Sequence, residues 1–357
     1  MVSNRDPVRL LVSGPGLIGR KHIALVRENP ATELAGIVGP LKEQHAAYAA
    51  NQGVPLYADV ESALDVSEAA GLIIASPNNL HLEQALQSIG KGVPTLVEKP
   101  LGAGLADAKA IVEASERAAV PVLVGHHRSY SPWLQAAREF VLSPQFGQPV
   151  ALQGSALFYK PSDYFSAAPW RAQSGGGPVL INLIHEVGLW RSLFGEIASV
   201  SALLSSSTRQ FDVEDTAAIS FSFENGALGA FVLSDTSASS KSWEMTTGEN
   251  PAYPHFPEEN CYHFAGTMGS VDFPSMRFRT YLGKGERSWW ARFDQGRISV
   301  AGIDPLAAQL DHFVAVVRGE TAPLVSARDG YLNMLVLEAI TRSAETGSRV
   351  RLADLPQ

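Results

Sequence analysis

Up to Gly125 the chain alternates between short apolar runs and longer stretches of helical period. Val8-Arg9-Leu10-Leu11-Val12 reads as a strand, a glycine-rich turn follows, and Leu17 to Glu28 carries a helical pattern that Asn29-Pro30 stops. Further strands are expected near Leu34–Val38, Pro55–Tyr57, Gly71–Ala75, Thr95–Glu98 and Pro121–Gly125, with helix-like stretches such as Leu80–Ser88 and Leu105–Ala118 among them. Leu72-Ile73-Ile74 and Val122-Leu123-Val124 lack a polar alternate, as strands buried on both faces do. This grammar predicts an α/β fold with a doubly wound parallel sheet of Rossmann type.

At 357 residues the chain exceeds what one core usually supports, so a second domain is expected. Strand-like runs at Pro149–Phe158, Ala198–Ser206, Ala217–Phe223 and Ala227–Ser234 lie close together without comparable helices between them, which predicts a mostly antiparallel sheet in an α+β domain. Asn225-Gly226 marks a hairpin, because both positions tolerate positive φ. Helices are expected over Asp304–Arg318 and Ala327–Glu345, and Trp243 to Pro257 reads as an irregular excursion. The boundary is placed so that residues 1–127 bind dinucleotide and residues 128–357 bind substrate and oligomerise.

Composition narrows the partners. With 28 basic and 36 acidic residues the net charge is −8, which argues against a phosphate-coating surface and so against nucleic acid. The single Cys261 closes no intrachain disulfide, and a zinc set drawn from His126, His127, Cys261 and His263 lacks the paired spacing of structural sites, so no metal is expected. No apolar run approaches the roughly 18 residues that span a bilayer, and Met1 to Pro7 lacks the build of a signal peptide. A cytoplasmic location and no membrane partner are expected.

Gly14-Pro15-Gly16-Leu17-Ile18-Gly19 fits G-x-G-x-x-G between a strand and a helix, the context in which that motif means dinucleotide binding. Its first glycine permits the turn, its second lets backbone approach a pyrophosphate, and its third lets helix and strand touch. Gly14, Gly16, Leu17, Ile18 and Gly19 are therefore assigned to the cofactor. About twenty residues further on, where an acid usually holds the ribose diol, the sequence has Val38-Gly39-Pro40-Leu41-Lys42. Nothing there repels a 2′-phosphate, so NADP and NAD are both open; Lys42 either neutralises that phosphate or is an ordinary solvated lysine.

Three further strings narrow the class: Ala75-Ser76-Pro77-Asn78-Asn79-Leu80-His81, Glu98-Lys99-Pro100, and Gly175-Gly176-Gly177-Pro178 leading to Ile181-Asn182-Leu183-Ile184-His185-Glu186. With the glycine turn, over nearly the whole chain, they resemble the glucose-fructose oxidoreductase, inositol dehydrogenase and rhizopine-catabolism (Gfo/Idh/MocA) family. The resemblance implies a Rossmann domain, a second domain on a largely antiparallel sheet, and a homodimer or homotetramer packed through that sheet. It also implies that Lys99 and His185 act on the reacting hydroxyl of a sugar, polyol or related compound. A lysine at the carboxyl end of a buried strand suits that task, as does an imidazole, whose unperturbed pKa is about 6.5.

On an α-helical wheel from Pro178 to Phe194, Leu180, Leu183, Ile184, Val187, Trp190 and Phe194 form one apolar arc, and Asn182 and His185 fall outside it on a common face. The family often has an aspartate as the helix partner and another after the histidine. This chain has Asn182 and Gly188, and an amide bonds a hydroxyl without raising the basicity of His185. Arg128, in Gly125-His126-His127-Arg128-Ser129-Tyr130, is assigned to substrate, as are Tyr159, Trp170, Arg171 and Asn182. Ser76, Pro77, Asn78, His81, Glu98 and Lys99 join the cofactor set, with helix capping the competing role for the asparagines. The alternatives kept are a carbonyl or imine reductase of the same fold and a dinucleotide-binding sensor without turnover.

Overall fold

The computed structural model describes residues 6–281 and 287–355. Most of the opening stretch read for a leader, Met1 to Arg5, lies outside them. In chain order the first elements are β1 (Val8–Ser13), α1 (Leu17–Glu28), β2 (Thr32–Val38), α2 (Glu43–Gln52), β3 (Leu56–Tyr57), α3 (Val60–Ser67), β4 (Gly71–Ile74), α4 (His81–Gly90), β5 (Thr95–Val97), α5 (Leu105–Ala118) and β6 (Val122–Val124). There follow α6 (Pro132–Val141), β7 (Pro149–Leu157), α7 (Ser162–Ser166), α8 (Ile184–Phe194), β8 (Ile197–Ser205), β9 (Thr216–Phe223), β10 (Leu228–Ser234), α9 (Trp243–Thr247), β11 (Tyr262–Gly266), β12 (Gly269–Phe273), β13 (Arg277–Thr280), β14 (Asp294–Arg297), α10 (Pro305–Val317), α11 (Ala327–Thr346) and β15 (Val350–Arg351).

The first six strands form a parallel sheet in the order β3-β2-β1-β4-β5-β6, the order of a Rossmann fold. Both faces are covered, so β4 and β6 are buried at every residue. The chain divides into two compact units, Met1–Tyr130 with Asp304–Met334, and Ser131–Ile303 with Leu335–Gln357. A single cut at 127/128 therefore does not describe the chain. Residues Asp304–Met334 return to the first unit because Leu310, Phe313, Val314 and Val316 of α10 share one core with Leu10, Val12, Ile23 and Ile73. Their apolar spacing shows a buried face but not which core receives it.

The second unit carries a nine-stranded sheet, β14-β13-β12-β11-β7-β10-β9-β8-β15. It is mostly antiparallel, and Asn225-Gly226 makes the expected hairpin between β9 and β10, with Gly226 at φ +89°. The expectation that its early strands all pair antiparallel is corrected at β7 and β10, which run parallel in continuous register from Leu228–Ala151 to Ser234–Leu157. They are separated by α7, α8, β8 and β9, and so long a connection permits parallel pairing where a tight hairpin does not. Buried residues alternate along β9 and β10, and α8 covers that face with Trp190 stacked 4.3 Å from Phe221. The stretch after Trp243 is less irregular than expected, since it opens with α9 and buries the Trp243 ring.

The helix expected from Pro178 to Phe194 is two structures. Val179–Leu183 is a π-helical turn and α8 begins only at Ile184. The wider i→i+5 bonding departs from the 100° wheel on which the common face of Asn182 and His185 rests. Nor is burial of α8 one-sided: His185, Glu186, Leu189 and Leu193 are buried as well as Ile184, Val187, Trp190 and Phe194.

Candidate active site

In the first unit the hexapeptide divides its glycines by function. A Cβ on Gly14, at φ +89°, would lie 2.5 Å from the Ala75 carbonyl oxygen, and one on Gly19 would lie 1.8 Å from that of Gly14. A Cβ on Gly16 would have no atom within 4 Å. The first and third glycines thus press backbone together, and the second opens on space. Gly16 is the N-cap of α1 and supplies no side-chain cap, so the first-turn amides remain for a ligand. Leu17 beside them is 82% exposed, which leaves its side chain to cover a bound group rather than the core; Ile18 is half-buried. Amide donors around an open glycine fit a pyrophosphate, and Gly14, Gly16, Leu17, Ile18 and Gly19 are the residues that would hold it.

The acid missing after β2 has a steric reason: a Cβ on Gly39 would lie 2.9 Å from Pro15 Cδ. Lys42 caps α2 and is exposed. Nearby, Arg20 donates from Nε to the Pro15 carbonyl at 3.1 Å and lies over the Tyr48 ring at 4.4 Å.

At the ends of β4 and β5 several assigned side chains bond within the protein. His81 is fully buried, with Nδ1 2.9 Å from the Pro100 carbonyl and Nε2 2.9 Å from that of Ser76. Burial lowers its pKa against the pull of those carbonyls. His81 is a brace between two loops. The Ser76 hydroxyl donates to Gln84 Oε1 at 2.8 Å, while Pro77 and Asn78 form the turn that leads into α4, which takes no side-chain cap from either asparagine.

Glu98 is also internal. Its Oε1 lies 2.8 Å from His22 Nε2 and its Oε2 accepts the Lys99 amide at 3.2 Å. Burial alone would raise its pKa, but the hydrogen bond to His22 and the neighbouring Lys99 ammonium act against it, and the carboxyl is held below its usual range. Glu98 therefore ties α1 to the strand end that carries Lys99. His22 was not foreseen, although a histidine three residues past Gly19 on the buried side of α1 needs a partner. After β6, His126 lies with Nε2 3.2 Å from Asn333 Nδ2, and burial with Arg128 lowers the His127 pKa to about 4. Arg128 itself is buried in the turn His127–Tyr130.

In the second unit, Gly177 at φ +80° makes room for Glu214, whose Oε1 accepts the Val179 amide at 2.8 Å and anchors the start of the π-helical turn. On that turn Asn182 Oδ1 accepts from Lys160 Nζ at 2.7 Å. Lys160 is 8% exposed, its Nζ lies 3.5 Å from Asp235 Oδ2, and Asp235 Oδ1 accepts from Arg209 Nε at 2.8 Å. Burial lowers the Lys160 pKa to about 8, against Asp235, which raises it. The Tyr159 ring covers Arg209 at 5.1 Å, and the Tyr164 ring lies between Lys160 at 4.9 Å and Arg171 at 3.9 Å, with Trp170 at 5.9 Å from the same guanidinium. Asn182, Tyr159, Trp170 and Arg171 thus belong to one network centred on Lys160. An open cavity of about 490 Å³ lined by Phe165, Gln173, Arg209 and Phe211 adjoins it. His185 follows the turn and is buried. The neighbouring Glu186 bonds the Tyr262 hydroxyl, which in turn accepts from Trp190 Nε1 at 3.1 Å.

Among the described residues no helix is long and apolar enough to cross a membrane, and no group of three His, Cys, Asp or Glu is placed to hold a metal ion.

Two family models match. One, described as an oxidoreductase family with an NAD-binding Rossmann fold, covers residues 8–126, and the other, the GFO/IDH/MocA C-terminal domain, covers residues 134–272. D-apiose dehydrogenase of Paraburkholderia graminis is 26% identical over 96% of this chain and 89% of its own. An NAD⁺-dependent scyllo-inositol 2-dehydrogenase of Bacillus subtilis is 28% identical over 97% and 96%. A solved oxidoreductase of Agrobacterium radiobacter, in complex with NAD⁺, L-tartaric acid and magnesium, shares the fold at a TM-score of 0.81 with 19% identity, covering 97% of this chain and 98% of that one.

Proposed function

This chain belongs to the Gfo/Idh/MocA family of oxidoreductases, and from that premise we propose that it moves hydride between a nicotinamide dinucleotide and a carbon bearing a secondary hydroxyl or carbonyl, on a sugar, polyol or related hydroxylated compound. The observation that carries the reading is the open space over Gly16, between two glycines that admit no side chain. The dinucleotide supplies the hydride donor or acceptor. The chain's own residues bind, orient and manage the proton: the ammonium of Lys99 stabilises alkoxide charge, and the imidazole of His185 takes or returns the hydroxyl proton. Asn182, Tyr159, Trp170, Arg171 and Arg128 hold the hydroxylated compound, rings packing on C–H faces and polar groups on oxygens. The reading is tested by absorbance at 340 nm with a panel of sugars, inositols and hydroxy acids under each cofactor; absence of turnover across that panel overturns it.

Gly16→Val probes the cofactor separately. A Cβ there has no protein atom within 4 Å, so the melting temperature is expected to stay within about 2 °C while the dissociation constant for NADH or NADPH rises by about 100-fold, read by tryptophan fluorescence. Unchanged affinity in the folded variant would remove the hexapeptide from cofactor binding. The same titration compares the two cofactors. With Gly39 in place of an acid and Lys42 and Arg20 nearby, the site accepts a 2′-phosphate as well as a bare ribose diol.

The protein acts as a homo-oligomer of the cytoplasm. Leu203, Ala218 and Val232 form one cross-strand row on the outward face of the second sheet, with Leu203 74% and Val232 42% exposed, an apolar strip that a second copy would cover. Leu203→Glu combined with Val232→Glu is expected to reduce the molar mass in light scattering to that of one chain, and a wild type already monomeric would refute the assembly. Cys261, buried and without a disulfide, suits a reducing compartment.

A further inference from the structure

We propose that Lys160 is a positioning residue that locks the Asn182 amide with its oxygen turned to the ammonium and its nitrogen left as a donor, so that the second unit reads a substrate oxygen through its lone pair. The inference rests on the hydroxyl-oxidoreductase reading and gives that site a chemical preference.

The orientation follows from hydrogen-bond inventory. An ammonium has three donors and no acceptor, so the group of Asn182 that lies 2.7 Å from Lys160 Nζ has to be the oxygen, whichever way an amide is first placed. Nδ2 then carries two N–H donors, and among the described residues no group bonds it. Lys160 is held at every point. Its amide donates to the Asp235 carbonyl at 2.8 Å, its carbonyl accepts from Arg209 Nη2 at 2.8 Å, and its side chain is fixed between Asp235 and the Tyr164 ring. Asp235 is itself held by Arg209, so the ammonium has little freedom to leave the amide.

The arrangement selects a ligand. A carboxylate at this position only accepts, and would take the proton of a substrate hydroxyl. A locked amide donates, so it occupies an oxygen lone pair and leaves the single hydroxyl proton directed elsewhere, where a base can remove it. The preferred partner is an oxygen with an open lone pair, either a secondary hydroxyl whose proton goes to another group or the carbonyl of the oxidised compound. The charged and titratable groups around Lys160 are Asp235 and Glu244, which favour its cation, Arg171 and Arg209, which do not, and Tyr164 and Glu214 beside them. Above about pH 8 the lysine sheds its proton, gains an acceptor lone pair and no longer dictates the amide's orientation.

The test uses the full-length protein with selective ¹⁵N-asparagine labelling, the Asn182 side-chain signals being identified by their loss in Asn182→Asp. In the wild type those signals are expected to titrate near pH 8, and in Lys160→Met to lose that titration. In steady state, Lys160→Met is expected to raise KM about tenfold with kcat within about threefold, and Lys160→Arg to keep KM within about threefold of the wild type, since it keeps a donor. Asn182 signals indifferent to Lys160→Met would overturn the lock, as would Lys160→Arg behaving like Lys160→Met. If Lys160→Met does not fold, Lys160→Arg decides. A wild type without turnover on any hydroxylated compound refutes the oxidoreductase reading, while the amide titration still reports on the lock.

Discussion

Lys99→Met is expected to lower kcat by about 10²–10⁴-fold, the range over which a positioned proton-handling group acts, and to leave the cofactor dissociation constant within about twofold. Lys99 follows β5 at the carboxyl edge of the parallel sheet, where open α/β folds bind their ligands. Its backbone is fixed there, since the Lys99 amide donates to Glu98 and Glu98 is held by His22. Methionine keeps the length and the apolar stem and removes only the ammonium, so the change reports charge and proton transfer rather than packing. A companion His185→Gln variant, assayed on the same accepted substrate, is expected to lose about 10²-fold or more in kcat for the same reason. If the methionine variant keeps kcat within about threefold of wild type, Lys99 has no part in the chemical step.

Much of the first unit could be read from the sequence because its grammar is local. Strand, glycine turn and helix follow one another over about thirty residues, and α1 and α5 fall at the bounds the periodicity gives. The hairpin at Asn225-Gly226 was equally legible, since the positive φ of the turn falls on a glycine, although Asn225 does not share it. Partner choice was not. The parallel pairing of β7 with β10, and the return of α10 to the core of β1 and β4, depend on contacts between distant segments that spacing does not encode. The π-helical turn was missed because its apolar residues also suit an α-helical wheel, and the anchor that sets it, Glu214 on the Val179 amide, comes 35 residues later.

The same distinction divides the site. Gly14, Gly16 and Gly19 announce their roles through the space each needs, so the reading of the turn follows directly from residue type. Histidines do not behave so. His81 lies at a strand-to-helix crossing and was read as a ligand contact, yet carbonyls five and nineteen residues away hold both of its nitrogens. His22 escaped for the converse reason: it is a polar side chain whose meaning is its partner, Glu98 at a separation of 76 residues, and the pairing of Lys160 with Asn182 across 22 residues was hidden in the same way. A buried charge in a strand end or on an apolar helix face is the signal to look for such a partner.

Glu98→Leu is expected to destabilise the first unit by about 3–5 kcal/mol, the usual effect of removing one member of a buried pair, because His22 is left buried without its carboxylate. Glu98→Gln is expected to lose less, since the amide oxygen still accepts from a neutral imidazole. The pH dependence separates two groups. His127, lowered to about 4, binds its proton in the unfolded chain before the folded one, so its contribution is complete above about pH 6.5 and declines as the pH falls toward 4. Glu98, whose folded pKa is depressed, contributes above the ordinary glutamate range and loses that contribution as the pH falls through its folded value. Wild-type stability should therefore fall on acidification in two stages. Glu98→Gln should abolish the lower stage and keep the upper, and His127→Gln should do the reverse. Melting temperatures measured from pH 7 to pH 4 and below, in which Glu98→Gln follows the wild-type curve throughout, would mean that the Glu98–His22 pair does not stabilise the strand end that carries Lys99.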